Sequence, residues 1–223
     1  VDDPLESEAS YRQALEIALN RFGPGHPAST GVQRPLGAIL VEAGKLTEAE
    51  RLLRQAHERL LARFGPEHAE VAASWHALGL LALEQGRLAQ AQDALQRSLQ
   101  LRRRSTELGE RGSVLCDLAR TRLALGQAES AELLAHECQQ QAMAYDPVLV
   151  ARSERLLADV ASTRGNSQAA AALLASAKQR LLAEGIDPAA PVVATVNLAR
   201  ARLLIDDGDF PEAQATLDTL RAQ

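Results

Sequence analysis

The sequence predicts an all-α solenoid of helical hairpins, and three observations carry that expectation. A seven-residue phrase opening on glycine is written five times, at Gly44 (GKLTEAE), Gly86 (GRLAQAQ), Gly126 (GQAESAE), Gly165 (GNSQAAA) and Gly208 (GDFPEAQ). The glycines are spaced by 42, 40, 39 and 43 residues, a period that belongs to stacked helical hairpins rather than to one globular core. Aromatics make up only 3% of the chain, so Ala and Leu carry most of the apolar content, and no stretch alternates like a strand. Small, unbranched side chains suit closely packed helices.

The first predicted helix runs from Leu5 to Phe22 and ends at Phe22-Gly23-Pro24, where Gly allows the left-handed residue and Pro cannot continue the helix. Shifted by 42 residues it overlays Thr47 to Phe64, which ends in Phe64-Gly65-Pro66, so the chain is expected to open on the second helix of a pair. The next helix spans His26 to Ala43, with Pro27 in its first turn. Pro35 lies in its middle, four residues after Gly31, and admits two readings: a kink that opens a groove, or a tolerated irregularity.

Thr47-Glu48-Ala49-Glu50 has capping-box spacing, which predicts Thr47 as the cap of the helix ending at Phe64. The third pair is His68–Gln85 with Leu88–Arg104, and Arg102-Arg103-Arg104 stands where cations favour a helix C-terminus. The remaining pairs are Glu107–Leu125 with Ala128–Met143, Pro147–Arg164 with Ser167–Glu184, and Pro188–Asp206 with Phe210–Ala222. Asp146-Pro147 and Asp187-Pro188 both read as a cap followed by a first-turn proline. The expectation is a single solenoid over 1–223 of about eleven helices, divided as 1–24, 25–66, 67–105, 106–144, 145–185 and 186–223.

Composition narrows the function classes. A net charge of −5 argues against nucleic-acid binding driven by overall charge. No apolar run approaches the roughly 18 residues that span a bilayer. Cys116 and Cys138 are too few for a disulfide framework and are read as small packing residues, which favours a reducing, cytoplasmic compartment. Among the five histidines no metal-ligand spacing occurs, and His26 and His68 read as structural caps. There is no phosphate loop, nucleophile elbow or dinucleotide fingerprint, so neither enzyme activity nor a cofactor is expected.

The repeat phrase itself carries a family resemblance. Trp75, Leu78-Gly79, Ala82 and Gly86 are followed by Ala91, Leu95 and Ser98; the preceding repeat has Leu36-Gly37, Leu40, Gly44, Ala49, Leu53 and Ala56. The linkers Phe22-Gly23-Pro24-Gly25-His26-Pro27 and Phe64-Gly65-Pro66-Glu67-His68-Ala69 complete the pattern. The chain resembles the tetratricopeptide repeats, in the long-period form of kinesin light chains and many bacterial signalling proteins. Later repeats depart from the pattern: Leu118-Ala119 and Leu157-Ala158 stand in for Leu-Gly, and Arg200 falls where Leu is expected.

The resemblance implies a right-handed superhelix whose first helices line a concave groove for a peptide. On that frame Trp75 is a core residue with no stacking role. The groove-facing candidates are Arg34, His76, Leu80, Leu83, Arg120, Leu123, Arg152, Arg155 and Arg202, together with Val41, Cys116, Asp159 and Leu198. The Lys/Asn pairing of the family's chaperone-binding branch is absent, since those positions hold Arg34 with Ala38, His76 with Leu80 and Cys116 with Arg120.

Five arginines among the candidates suit carboxylates or phosphates, which points to an acidic peptide or protein segment. The competing reading is a solvated face balanced by Glu42, Glu84, Asp159 and Asp206. The expected function is a protein–protein interaction module, a regulatory or scaffold part of a larger bacterial signalling protein. The alternative is an array that self-associates into a homo-oligomer through uncapped ends.

Overall fold

The computed structural model describes residues 4–24, 26–102 and 108–221. Among the described residues there are eleven α-helices and no strand. They fall into two compact units, Val1–Thr106 and Glu107–Gln223. The first holds α1 (Pro4–Phe22), α2 (Pro27–Glu42), α3 (Leu46–Phe64), α4 (Ala69–Glu84) and α5 (Leu88–Arg102). The second holds α6 (Leu108–Ala124), α7 (Ala128–Ala142), α8 (Pro147–Thr163), α9 (Ser167–Ala183), α10 (Pro191–Asp206) and α11 (Phe210–Arg221).

The recurring glycine makes the hairpin. Gly44 has φ of 71°, a backbone region that side chains other than glycine's rarely enter. Its N–H donates to Val41 O at 3.0 Å, and the next N–H, of Lys45, donates to Leu40 O at 2.8 Å. These two bonds satisfy carbonyls that the helix end would otherwise leave open. The same pair of bonds recurs at Gly86, Gly126, Gly165 and Gly208.

This turn also corrects the capping-box expectation. The backbone enters α3 at Lys45, two residues before Thr47, with no side-chain cap. Glu50 meets Arg54, Arg87 and Gln85 and so does not close a box. A second correction falls at α10, where Ala190 is the cap and Pro191 the first helical residue. Asp187 accepts from the Ala189 N–H at 2.8 Å in the turn before it. Asp146 does cap α8, accepting from the Leu149 N–H at 2.8 Å. Pro35 lies inside α2 without ending it.

In the first unit, α2 packs against α1 and α3, and α4 against α3 and α5. The core between them gathers Leu15, Leu36, Leu40, Leu52, Leu53 and Leu81. Each such side chain, fully buried, is worth about 1.5–3 kcal/mol over an exposed one. Helix approach is close: a Cβ on Gly79 would stand 2.7 Å from Leu95 Cγ, and one on Gly37 2.5 Å from Leu53 Cδ2. The linker is a second repeated device. His26 and His68 stack on Phe22 and Phe64 with centroids 4.5 and 4.3 Å apart, while each Nδ1 accepts a backbone N–H of the helix it starts.

In the second unit, α8 packs against α6, α7, α9 and α10, and Leu174, Leu181, Val193, Val196 and Leu203 gather in a common core. Here the reading of Cys116 and Cys138 is overturned. They form a disulfide between α6 and α7, with Cα atoms 5.6 Å apart and both side chains fully buried. The two helices of a hairpin run antiparallel, and the cysteines lie at similar distances before and after Gly126, so they face each other. A disulfide belongs to oxidising surroundings, which removes the ground for the reducing-compartment expectation. Arg103 and Arg104 lie outside the described residues.

Candidate functional site

The first helices of the second unit, α6, α8 and α10, lie side by side. The helical repeat brings Arg120 and Leu123 of α6, Asp159 of α8, and Arg202 and Asp206 of α10 to the wall of one cavity of about 500 Å³. Its floor is apolar, with Leu174 and Leu203. Three of the sequence candidates, Arg120, Leu123 and Arg202, thus line the same cavity.

Arg152 and Arg155 do not serve as open groove cations. Arg152 pairs with Asp117, whose side chain is 1% exposed. Arg155 Nη1 donates to Asp159 Oδ2 at 3.0 Å. Burial pushes the Arg155 guanidinium down and the Asp159 carboxyl up, while each partner pulls the other back toward its charged form. A buried charge is costly unless paired, so these two arginines answer the protein's own acids. The cavity wall itself carries Arg120, Arg202, Asp159 and Asp206.

The other candidates lie in the first unit. Arg34 of α2 approaches Glu70 of α4 at 3.8 Å, and His76, Leu80 and Leu83 follow one another along α4, all partly buried. Two candidates are corrected. Val41 is 8% exposed and belongs to the core, and Cys116 is fully buried in the disulfide. Leu198 is exposed, at 52%.

Trp75 is a further correction. It is only partly buried; its ring meets the His57 ring at 4.3 Å between centroids, and the Arg97 guanidinium lies 4.8 Å over it. It lines a cavity among α3, α4 and α5 that sequence reasoning missed. Among the described residues no cluster of three or more His, Cys, Asp or Glu could hold a metal ion, and no helix is long and apolar enough to cross a membrane.

Comparison with known proteins follows the same repeat. A family model described as a tetratricopeptide repeat matches residues 29–104, and a second of the same description matches 194–219. No curated protein matches the sequence. Among solved structures, BtubC (BKLC) from P. vanneervenii has a TM-score of 0.68 at 19% identity over 100% of this chain and 91% of its own. The nearly identical TPR-like repeats of a Podosopora anserina protein described as a kinesin light chain give 0.64 at 23% identity, over 88% and 95%. A signal-transduction ATPase with numerous domains from Pyrococcus horikoshii, with a tetratricopeptide repeat sensor, gives 0.59 at 15% over 98% of this chain and 42% of that one.

Proposed function

Because the chain belongs to the tetratricopeptide repeat family, with repeats like those of kinesin light chains, we propose that it acts by holding a peptide or protein segment against the first helices of its second unit. The fold is that of a protein–protein interaction or scaffold module. The observation that carries the finer reading is the cavity walled by Arg120, Arg202 and Leu123 over an apolar floor. An incoming carboxylate would meet the guanidinium groups, and an apolar side chain beside it would reach Leu174 and Leu203. Asp159 is already matched by Arg155 and so opposes an acidic ligand less than its charge suggests. A place as sensor or scaffold within a larger bacterial signalling protein fits this reading.

The test is fluorescence anisotropy with a labelled peptide alternating Glu and Leu, at low and high salt, against a Lys/Leu counterpart. The acidic peptide is expected to bind, more weakly as salt rises. An Arg120→Gln/Arg202→Gln double variant should lose about tenfold or more in affinity, the size of one or two charge-assisted hydrogen bonds. Equal capture of the basic peptide, or an unchanged double variant, would sink the proposal. A molecular size that grows with concentration without peptide would favour self-association.

A further inference from the structure

The second helices of the first unit make two successive clefts, α1 with α3 over α2, and α3 with α5 over α4. The repeat allows them to be compared residue by residue at a shift of 42. Glu8, Arg12, Glu16 and Leu36 of the first cleft return unchanged as Glu50, Arg54, Glu58 and Leu78 of the second. Among the positions that differ, Leu15 becomes His57, Gln33 becomes Trp75, Leu40 becomes Ala82 and Leu52 becomes Ala94, while Glu48 and Arg51 become Gln90 and Asp93.

The consequences are physical. In the first cleft Leu52 is 2% exposed and Gln33 accepts from Arg59 Nη1 at 2.9 Å, leaving a cavity of about 240 Å³. In the second the methyl of Ala94 fills far less space, and the cavity grows to about 500 Å³. Its walls are Trp75, Leu78, Leu81, Ala82 and Ala94. Apolar space of this size beside an aromatic ring is suited to a bulky apolar side chain.

The rim says what flanks that side chain. Glu50 is occupied, bonded to Arg54 at 2.6 Å, to Gln85 at 2.8 Å and to Arg87 at 3.1 Å. Asp93 pairs with Arg97 at 3.1 Å, the same guanidinium that lies over Trp75. Glu58 is exposed at the cavity edge beside His57, and no cation pairs with it among the described residues. Burial holds the His57 imidazole below its ordinary value, so at neutral pH it adds no charge to the wall.

We propose that the cleft of α3, α4 and α5 docks a partner segment in which a Leu or Phe side chain fills the space beside Trp75 and an adjacent Lys or Arg meets Glu58. This surface is built by other helices than the groove of α6, α8 and α10 and asks for the opposite charge in its ligand, so either can fail without the other.

The chain reports on its own occupancy, because Trp75 is its one tryptophan. The full chain is titrated with a short synthetic peptide of core Lys-Leu-Phe-Arg, with Glu-Leu-Phe-Glu and Lys-Ala-Ala-Arg as controls, following Trp75 emission. A saturable shift is expected with the first peptide alone. Ala94→Leu restores the side chain that Leu52 supplies in the first cleft, and should weaken binding about tenfold or more while far-UV circular dichroism stays unchanged. Glu58→Gln, at an exposed position, should weaken it about two- to fivefold and flatten its salt dependence; this variant decides the matter should Ala94→Leu misfold.

The proposal is overturned by an absent shift, by equal binding of the acidic control, or by variants that bind like the parent chain. It is overturned also by an emission change that follows protein concentration without peptide, which would assign the cleft to a second copy of this chain.

Discussion

The cavity beside Trp75 and the cavity beside Arg202 each enclose about 500 Å³, yet they arise in different ways. The first comes from size: Ala94 leaves open a space that Leu52 closes one repeat earlier, and the polar groups stay at the rim. The second carries charge in its wall, where Asp159 is held by Arg155, over a floor of Leu174 and Leu203. One hairpin frame therefore offers two independent means of making a binding surface, a missing side chain or a matched pair of ions. Counting arginines along a face overstates its positive character when the acids that neutralise them lie on the same helices or on the neighbouring one.

The largest expected effect separates the two by their support. α6, which carries Arg120 and Leu123, is joined to α7 by Cys116–Cys138, a link spanning 22 residues of sequence. Reduction should lower stability by about 2–4 kcal/mol in guanidinium unfolding followed by circular dichroism. An unchanged midpoint with the disulfide verifiably reduced would make the link incidental to the fold. Next in size is Gly79→Val, which places atoms against Leu95 in the hairpin holding the Trp75 cavity. It should cost about 1–3 kcal/mol, and a neutral outcome would show that α4 and α5 can separate without loss.

Ala94→Leu should act in the other direction, raising stability by about 0.5–2 kcal/mol by filling space. A loss in thermal melting would mean the cavity is narrower than the comparison with Leu52 implies. The smallest effect is one of pH. His57, packed against Ser74 and Trp75 of α4, with Glu58 and Arg97 as its charged neighbours, has its pKa depressed by burial below the ordinary 6.5. Below that pH the unfolded chain takes a proton that the folded chain refuses, so stability should fall as pH drops through 6.5. His57→Asn should remove that part of the acid sensitivity in paired melts, and an identical profile in the variant would assign it elsewhere.

The hairpins were legible because their determinants are local. A glycine in the left-handed region, a Phe-Gly-Pro stop and a His cap act within a few residues, and each is written more than once. What escaped depended on which side chains meet across helices. The disulfide was readable in principle from the positions of Cys116 and Cys138 on either side of Gly126, but counting cysteines discards that geometry. Trp75 was assigned to the core because its family position is a packing one, whereas here it is partly buried and lines a cavity with Ala94. Arg120 and Arg202 were candidates through the repeat frame of the resembled family, and they line one cavity with Leu123. Asp159, the partner of Arg155, was named as a balancing acid, but Asp117, the buried partner of Arg152, was not, since that pairing is decided across helices.

The five glycine turns have one more consequence. The same two backbone bonds close every joint while the residue that follows varies, from Lys45, Arg87 and Gln127 to Asn166 and Asp209, whose side chains also accept a backbone N–H of the next helix. These joints are natural splice points, where a hairpin could be exchanged, duplicated or excised between equivalent glycines with the two backbone bonds unchanged. A cleft opened in one hairpin would then be portable, provided the transplant carries both flanking second helices.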